Sequence, residues 1–255
     1  MGARSELISV IGNDAAGQEI ITIASSAGFA TNMVKDDASK TIVKLRMVAQ
    51  NQQLLRADFD QQPSGDALES CGDQFRKSLL SCDVVVLSDY GKGVLADVPA
   101  LIEAANQADK PVIVDPKGTN YERYRNAALI TPNMKEFEAV VGKASNEDDF
   151  SAKAIRLRQE LNLQALLITR SERGMTLITS NDEKIDSPAQ ALEVYDVSGA
   201  GDTVIAMMAL LTVAGFKAEE NLELANLVAG IVVGKLGTAV AEISEVIEKI
   251  EENNS

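Results

Sequence analysis

Short runs rich in Val, Ile and Leu alternate along most of the chain with stretches whose apolar residues recur at three- and four-residue spacing. The first pattern marks buried strands and the second amphipathic helices, so their alternation predicts βαβ units around a mostly parallel sheet. Strands are expected at Asp83–Ser88, Pro111–Asp115, Ala128–Thr131 and Ala165–Thr169. Helices are expected at Asp97–Ala108, Asn133–Val141 with Gly142 as its stop, and Glu147–Leu161. Gly174–Thr179 and Glu183–Ser187 should pair as a hairpin across Ser180, Asn181 and Asp182. Two helices of low polarity follow, Gly199–Ala214 and Ala218–Lys235, predicted to be packed on both sides with Gly215 as C-cap. Ile243–Ile250 reads as an amphipathic helix and Glu251–Ser255 as a polar tail.

The opening differs. Ser9–Ala27 predicts a strand, a turn and a helix, whereas Thr41–Arg46 and Gln53–Asp58 alternate polar and apolar residues on either side of Asn51 and Gln52. That alternation predicts an exposed hairpin over about 41–58. Such a ribbon serves either as a lid or oligomer contact, or simply as an edge hairpin. A chain of 255 residues fits one α/β domain spanning 1–255.

Composition removes several chemistries. There are no histidines, which excludes Ser-His-Asp and Cys-His catalysis and imidazole-based metal sites. Cys71 and Cys82 form no CxxC pair and are too few for a disulfide framework or a zinc site, which suits a reducing cytoplasm. Lys plus Arg number 24 against 38 Asp plus Glu, a net charge of −14, so neither nucleic acid nor an anionic membrane is an expected partner. The longest apolar stretch, Val204–Ala214, would cross about half a bilayer.

The sharpest candidate for chemistry is Asp196-Val-Ser-Gly-Ala-Gly-Asp202, where irregular chain becomes a long helix. Small residues at Gly199, Ala200 and Gly201 let the backbone approach an anion, and free amides at a helix N-terminus stabilise negative charge there. Asp202, in the first turn, could take a proton from a nucleophilic hydroxyl. The bland alternative is a glycine-softened helix start with an acidic residue. Val204 stands where a dinucleotide fingerprint needs its third glycine, and Leu236 where a Walker loop needs Ser or Thr, so neither nucleotide motif is present.

This heptapeptide matches the C-terminal signature of the ribokinase family of carbohydrate kinases, and Thr131-Pro-Asn-Met-Lys-Glu136 resembles that family's Asn-x-x-Glu segment. Leu87–Gly93, Asp115–Gly118 with Tyr121–Arg125, Thr169–Met175 and Gly230–Thr238 resemble more narrowly its bacterial heptose 7-phosphate kinases. The resemblance implies a three-layer sandwich with helices on both faces of a mostly parallel sheet and a small β lid. It also implies ATP-dependent phosphorylation of the anomeric hydroxyl of D-glycero-β-D-manno-heptose 7-phosphate to the 1,7-bisphosphate, with Mg²⁺, in the cytoplasm, on the way to ADP-heptose for lipopolysaccharide.

Carried over residue by residue, the resemblance makes Asp202 the catalytic base and Gly199, Ala200 and Gly201 the anion hole. It places Asn133, Met134, Lys135 and Glu136 at the ATP phosphates, Glu136 reaching Mg²⁺ through water. Glu136 lies one turn from Asn133, so both can leave the same side of a helix start; a plain N-cap with a capping box accounts for the pair equally. Thr169, Arg170 and Gly174 fall on the nucleotide side, and Asn226 with Ala229 on the helix lining the adenine pocket. Lys92 and Lys117, in glycine-containing turns, and Lys44, Arg46 and Arg56, on the hairpin, are the candidate sugar-phosphate contacts. The hairpin is also the expected contact of a homodimer.

The start departs from the family. No acidic strand and no Gly-Gly-x-x-Asn helix start appear; residues 7–20 instead look like the later Gly-x-Asp-x-x-Gly stretch. The expectation is a chain lacking several tens of N-terminal residues, and no adenylyltransferase segment is expected after Ser255. Two alternatives therefore stand beside the heptose kinase: a kinase for another sugar phosphate, and a non-catalytic remnant that binds nucleotide.

Overall fold

The computed structural model describes residues 2–49, 52–190, 195–216 and 218–253. They divide into two compact units, one of residues 2–81 and 91–97, the other of residues 82–90 and 98 onward.

The first unit contains β1 (Glu6–Gly12), α1 (Ala15–Ser26), β2 (Ala30–Asp36), β3 (Val43–Ala49), β4 (Gln52–Phe59) and α2 (Gly65–Ser78). β1 and β2 pair in parallel. The predicted strand, turn and helix at the start are present, and Asp14 shows why the turn ends there. Its carboxylate caps α1 by accepting the Gly17 amide at 2.9 Å, and it also accepts the Thr41 hydroxyl at 2.7 Å and the Thr41 amide at 3.0 Å. The Thr41 hydroxyl, then these amides, hold the Asp14 carboxyl down at about 2. Asp36 is used similarly at the end of β2, accepting the Ser64 amide and hydroxyl and the Ser39 hydroxyl. Ser64 is in turn the N-cap of α2.

The hairpin is longer than its alternation predicts. Gln52 belongs to β4, the register breaks between Met47 and Val48, and Asn51 lies outside the described residues. Lys44 and Arg46 stand opposite Asp58 and Arg56 on one face. Val43, Leu45, Met47, Leu55 and Phe59 occupy the other, and all five are exposed.

The second unit contains β5 (Val85–Ser88), α3 (Val98–Gln107), β6 (Val112–Asp115), a 3₁₀ turn (Tyr121–Tyr124), β7 (Leu129–Ile130), α4 (Met134–Val141) and α5 (Glu147–Glu160). It continues with β8 (Ala165–Thr169), β9 (Met175–Ile178), β10 (Lys184–Ser187), α6 (Ala200–Ala214), α7 (Ala218–Val233) and α8 (Ile243–Asn253). The sheet order is β10-β9-β8-β7-β6-β5. β5 to β8 run parallel, while β9 and β10 are the antiparallel hairpin that the turn residues predict.

Ile113, Leu129, Leu167 and Leu177 of one sheet face are buried with Val204, Met208, Leu222 and Val228 of α6 and α7. α3, α4 and α5 contact the strands on the other side, where Val112, Val114, Ile130, Phe137 and Phe150 are buried. Burial of each such side chain stabilises the unit by roughly 1.5–3 kcal/mol. The strands read as continuous apolar runs because both faces are covered. α6 corrects one expectation: it buries a broad face but leaves Ala206 and Val213 exposed, so it is not covered on both sides. Among the described residues, no helix is long and apolar enough to cross a membrane.

Candidate active site

Parallel strands deliver their C-terminal ends to one edge of a sheet, and in open α/β folds ligands bind beyond that edge. Here the edge brings Asp89 after β5, Asp115 at the end of β6, Asn133 after β7 and Thr169 at the end of β8. α6 contacts β5 and β6.

α6 begins on Gly199, whose φ of 82° and ψ of −2° place it in the left-handed region that a side chain would disfavour, and no side chain caps the helix. The Ala200 amide turns back to the Val197 carbonyl at 3.3 Å, while Thr203 closes the first turn onto Gly199 at 2.9 Å. Among the described residues, the Gly199, Gly201 and Asp202 amides have no acceptor. Of the three expected donors Ala200 is engaged, while the Gly199 and Gly201 amides stay free and the Asp202 amide joins them. The Asp202 carboxylate is exposed in this first turn.

Negative charge is concentrated here. Asp115 is pushed up to about 6, by burial first and then by the charges of Glu136, Asp202 and Asp89, with Lys117 opposing. Burial, then the Asp202 charge, raises the Tyr90 phenol as well. Lys117 Nζ lies 3.2 Å from Glu136 Oε1. The capping box is present in full: Asn133 Oδ1 accepts the Glu136 amide at 3.0 Å, and Glu136 Oε2 accepts the Asn133 amide at 3.1 Å. Glu136 therefore caps the start of α4 with one oxygen and turns the other to the Lys117 ammonium. Met134 is half-buried beside it and Lys135 is exposed.

Thr169 bridges Asn133 across the sheet edge, its amide donating to the Pro132 carbonyl at 3.0 Å. Arg170 is occupied elsewhere: its guanidinium makes two bonds of 2.7 and 2.8 Å to Glu147 and lies over the Phe150 ring. Gly174 has φ 81°, and a Cβ there would strike the Ser187 carbonyl. Asn226 donates to Ser187 Oγ at 2.7 Å and to the Pro188 carbonyl at 2.6 Å, and Ala229 is buried in the α6–α7 core. Gly174 and Asn226 thus share the Ser187–Pro188 segment.

Lys44, Arg46, Arg56 and Lys92 belong to the first unit. Arg56 makes a two-bond ion pair with Asp58, and Lys92 pairs with Asp60. Asp89, Tyr90, Asp115 and Tyr124 lie within the segments that resemble the heptose 7-phosphate kinases, but the sequence reading gave none of them a role. Their signal was position: three of them stand within a few residues of a predicted strand's C-terminal end.

The chain matches the description "pfkB family carbohydrate kinase" over residues 1–244. It is 47% identical over 245 residues to the bifunctional protein HldE of Alcanivorax borkumensis, covering 96% of this chain and 52% of that protein. It is 46% identical over 245 residues to the D-beta-D-heptose 7-phosphate kinase of Bordetella bronchiseptica, covering 96% and 78%. The chain spans about half the length of the bifunctional relatives it matches. Among solved structures, phosphofructokinase-2 of Escherichia coli superposes with a TM-score of 0.82 at 18% identity, covering 100% of this chain and 84% of that one. Ribokinase of Arabidopsis thaliana superposes at 0.78 with 20% identity, covering 97% and 82%.

Proposed function

The chain belongs to the pfkB family of carbohydrate kinases, and from that premise we propose that it transfers the γ-phosphoryl group of ATP to the anomeric hydroxyl of D-glycero-β-D-manno-heptose 7-phosphate. The product is the 1,7-bisphosphate, an intermediate toward ADP-heptose and the lipopolysaccharide core. The observation that carries the reading is the start of α6, where three amides without acceptors, those of Gly199, Gly201 and Asp202, stand beside an exposed carboxylate at the sheet's C-terminal edge. The substrate rests on likeness to the Bordetella kinase.

In this reading Asp202 accepts the proton of the anomeric hydroxyl as its oxygen bonds to the γ-phosphorus. The bond from that phosphorus to the bridging oxygen breaks, and ADP leaves. The Gly201 and Asp202 amides face the charge that spreads over the transferring oxygens.

The donor set suits Mg²⁺. Glu136 and Asp115 offer hard carboxylate oxygens, and Asp115 is raised by its burial first and then by the charges of Glu136 and Asp202 beside it. Among the described residues, no three such side chains form a ready cage, which agrees with a cation that keeps waters and substrate phosphates as ligands. When bound, it would neutralise charge on the ATP phosphates.

The exposed apolar face of the hairpin supports a second reading, of assembly. Two strands alone are marginal in water, and Val43, Leu45, Met47, Leu55 and Phe59 present one apolar surface that suits an identical copy. A homodimer in the cytoplasm is the state we assign.

The test is ADP release with ATP and heptose 7-phosphate, beside a panel of other sugar phosphates, for the natural chain and Asp202→Asn. Turnover confined to the heptose and lost in the variant is expected. Turnover unchanged in Asp202→Asn refutes the mechanism, and ATP-analogue binding without turnover on any acceptor favours a non-catalytic remnant.

A further inference from the structure

Tyr124 is wholly buried, yet its hydroxyl sits among three polar groups from two strand ends. It lies 2.7 Å from Asp89 Oδ2, 3.0 Å from the Lys117 amide nitrogen and 3.1 Å from the Lys117 carbonyl. A phenol has one proton to give. The shortest contact assigns that proton to Asp89, and the Lys117 amide then donates to the phenol oxygen. Asp89 is itself buried, with Arg123 at 3.6 Å as its ion-pair partner, and its amide donates to the Asp115 carbonyl at 3.0 Å. The tyrosine thus ties the end of β5 to the turn after β6.

That turn carries Lys117, whose side chain leaves the buried network for the open edge and meets Glu136 at 3.2 Å. Glu136 is fixed from its other side by the Asn133 amide. A continuous chain of bonds therefore runs Asp89, Tyr124, Lys117, Glu136, Asn133, joining three strand ends. Only its last members are exposed to a ligand. Burial drives the phenol upward, so it stays protonated throughout any working range.

We propose that Tyr124, held by Asp89, is a positioning residue that sets the backbone of Lys117 and so aims its ammonium at the phosphates being exchanged. The proposal rests on the kinase reading given above. It differs from a plain packing role because the effect passes through one identifiable side chain.

A double-mutant cycle separates the two. Tyr124→Phe keeps the ring and removes the hydroxyl, Lys117→Ala removes the ammonium, and both are combined. Turnover with ATP and heptose 7-phosphate is measured, and titration calorimetry with a non-hydrolysable ATP analogue and Mg²⁺ is run on the same proteins. Each single variant is expected to lose roughly tenfold in kcat/KM, and the double variant no more than about twofold beyond Lys117→Ala. Coupling in either readout supports the proposal. Losses that multiply in both overturn it, because the hydroxyl would then act on the fold at large. Should Tyr124→Phe fail to fold, Asp89→Ala replaces it, since it removes the acceptor that holds the phenol proton; the same non-additivity is required. A natural chain that turns over sugar while the cycle shows no coupling sinks the role of Tyr124 alone. A natural chain silent in turnover and in calorimetry sinks the kinase reading and this proposal with it.

Discussion

Asp115→Asn should make the protein more stable at neutral pH while impairing its site. The carboxyl of Asp115 rises from the ordinary 3.8 to about 6 in the folded chain, chiefly through burial and then through the neighbouring carboxylates. A raised acid is bound to its proton more tightly when folded, so the native state holds extra proton between those two values. Stability from this group is therefore intact below about 4 and is lost as pH climbs through about 6. The full displacement corresponds to roughly 3 kcal/mol at 1.36 kcal/mol per tenfold change in affinity. Partial solvent access screens the group, which leaves about 1–2 kcal/mol. Asparagine carries no charge, so the variant should gain that amount at pH 7 to 8 and nothing at pH 4. For a chain of this size the gain reads as about 2–8 °C in Tm. Thermal unfolding of both proteins, followed by circular dichroism from pH 4 to 8, reads Asp115 together with the charges coupled to it, Glu136, Asp202, Asp89 and Lys117, while uncoupled groups cancel in the difference. A Tm difference that stays flat across that range, or that opens toward acid, refutes the reasoning.

Three further outcomes are expected. Asp202→Asn should lower kcat by about 10²–10⁴-fold with little change in ATP-analogue affinity, the signature of a lost general base; steady-state kinetics beside calorimetry decides. Gly174→Ala should lower Tm by several degrees, because a Cβ at φ 81° is strained and meets the Ser187 carbonyl; a melt indistinguishable from the natural chain contradicts that packing. Phe59→Asp should convert a dimer to a monomer in light scattering without loss of secondary structure, and a dimer that persists would place the contact elsewhere.

Much of this arrangement is legible from residues alone, and the parts that are not share a physical cause. β5 to β8 announce themselves because both faces are buried, which demands unbroken apolar runs. β2 does not: Thr31, Asn32 and Lys35 interrupt it, and its burial is shallow. α2 is similarly silent, since only Ala67 and Cys71 of its residues are buried and the remainder is a polar surface. Ser64 caps this helix in the structure, but a serine without an apolar stripe behind it predicts little. In the site, Asp202 and the small residues before it are local in sequence and could be found by motif. Asp89, Asp115 and Tyr124 fall within segments that resemble the family, yet what each does depends on what other strands bring against it, which no local window contains. Arg170 illustrates the reverse. Its place after a strand suggested a ligand contact, and the structure spends the guanidinium on Glu147 and Phe150.

The uncapped beginning of α6 has a cost for the empty protein. Ser, Asp or Asn at that point would occupy the first amides permanently, whereas Gly199 leaves them uncapped and, on the proposed kinase reading, open to the phosphates of ATP. Heat resistance then becomes a reading of nucleotide supply, climbing logarithmically with ligand concentration. A cell short of ATP would carry a softer enzyme, more readily opened to proteases, so that its abundance would follow its fuel.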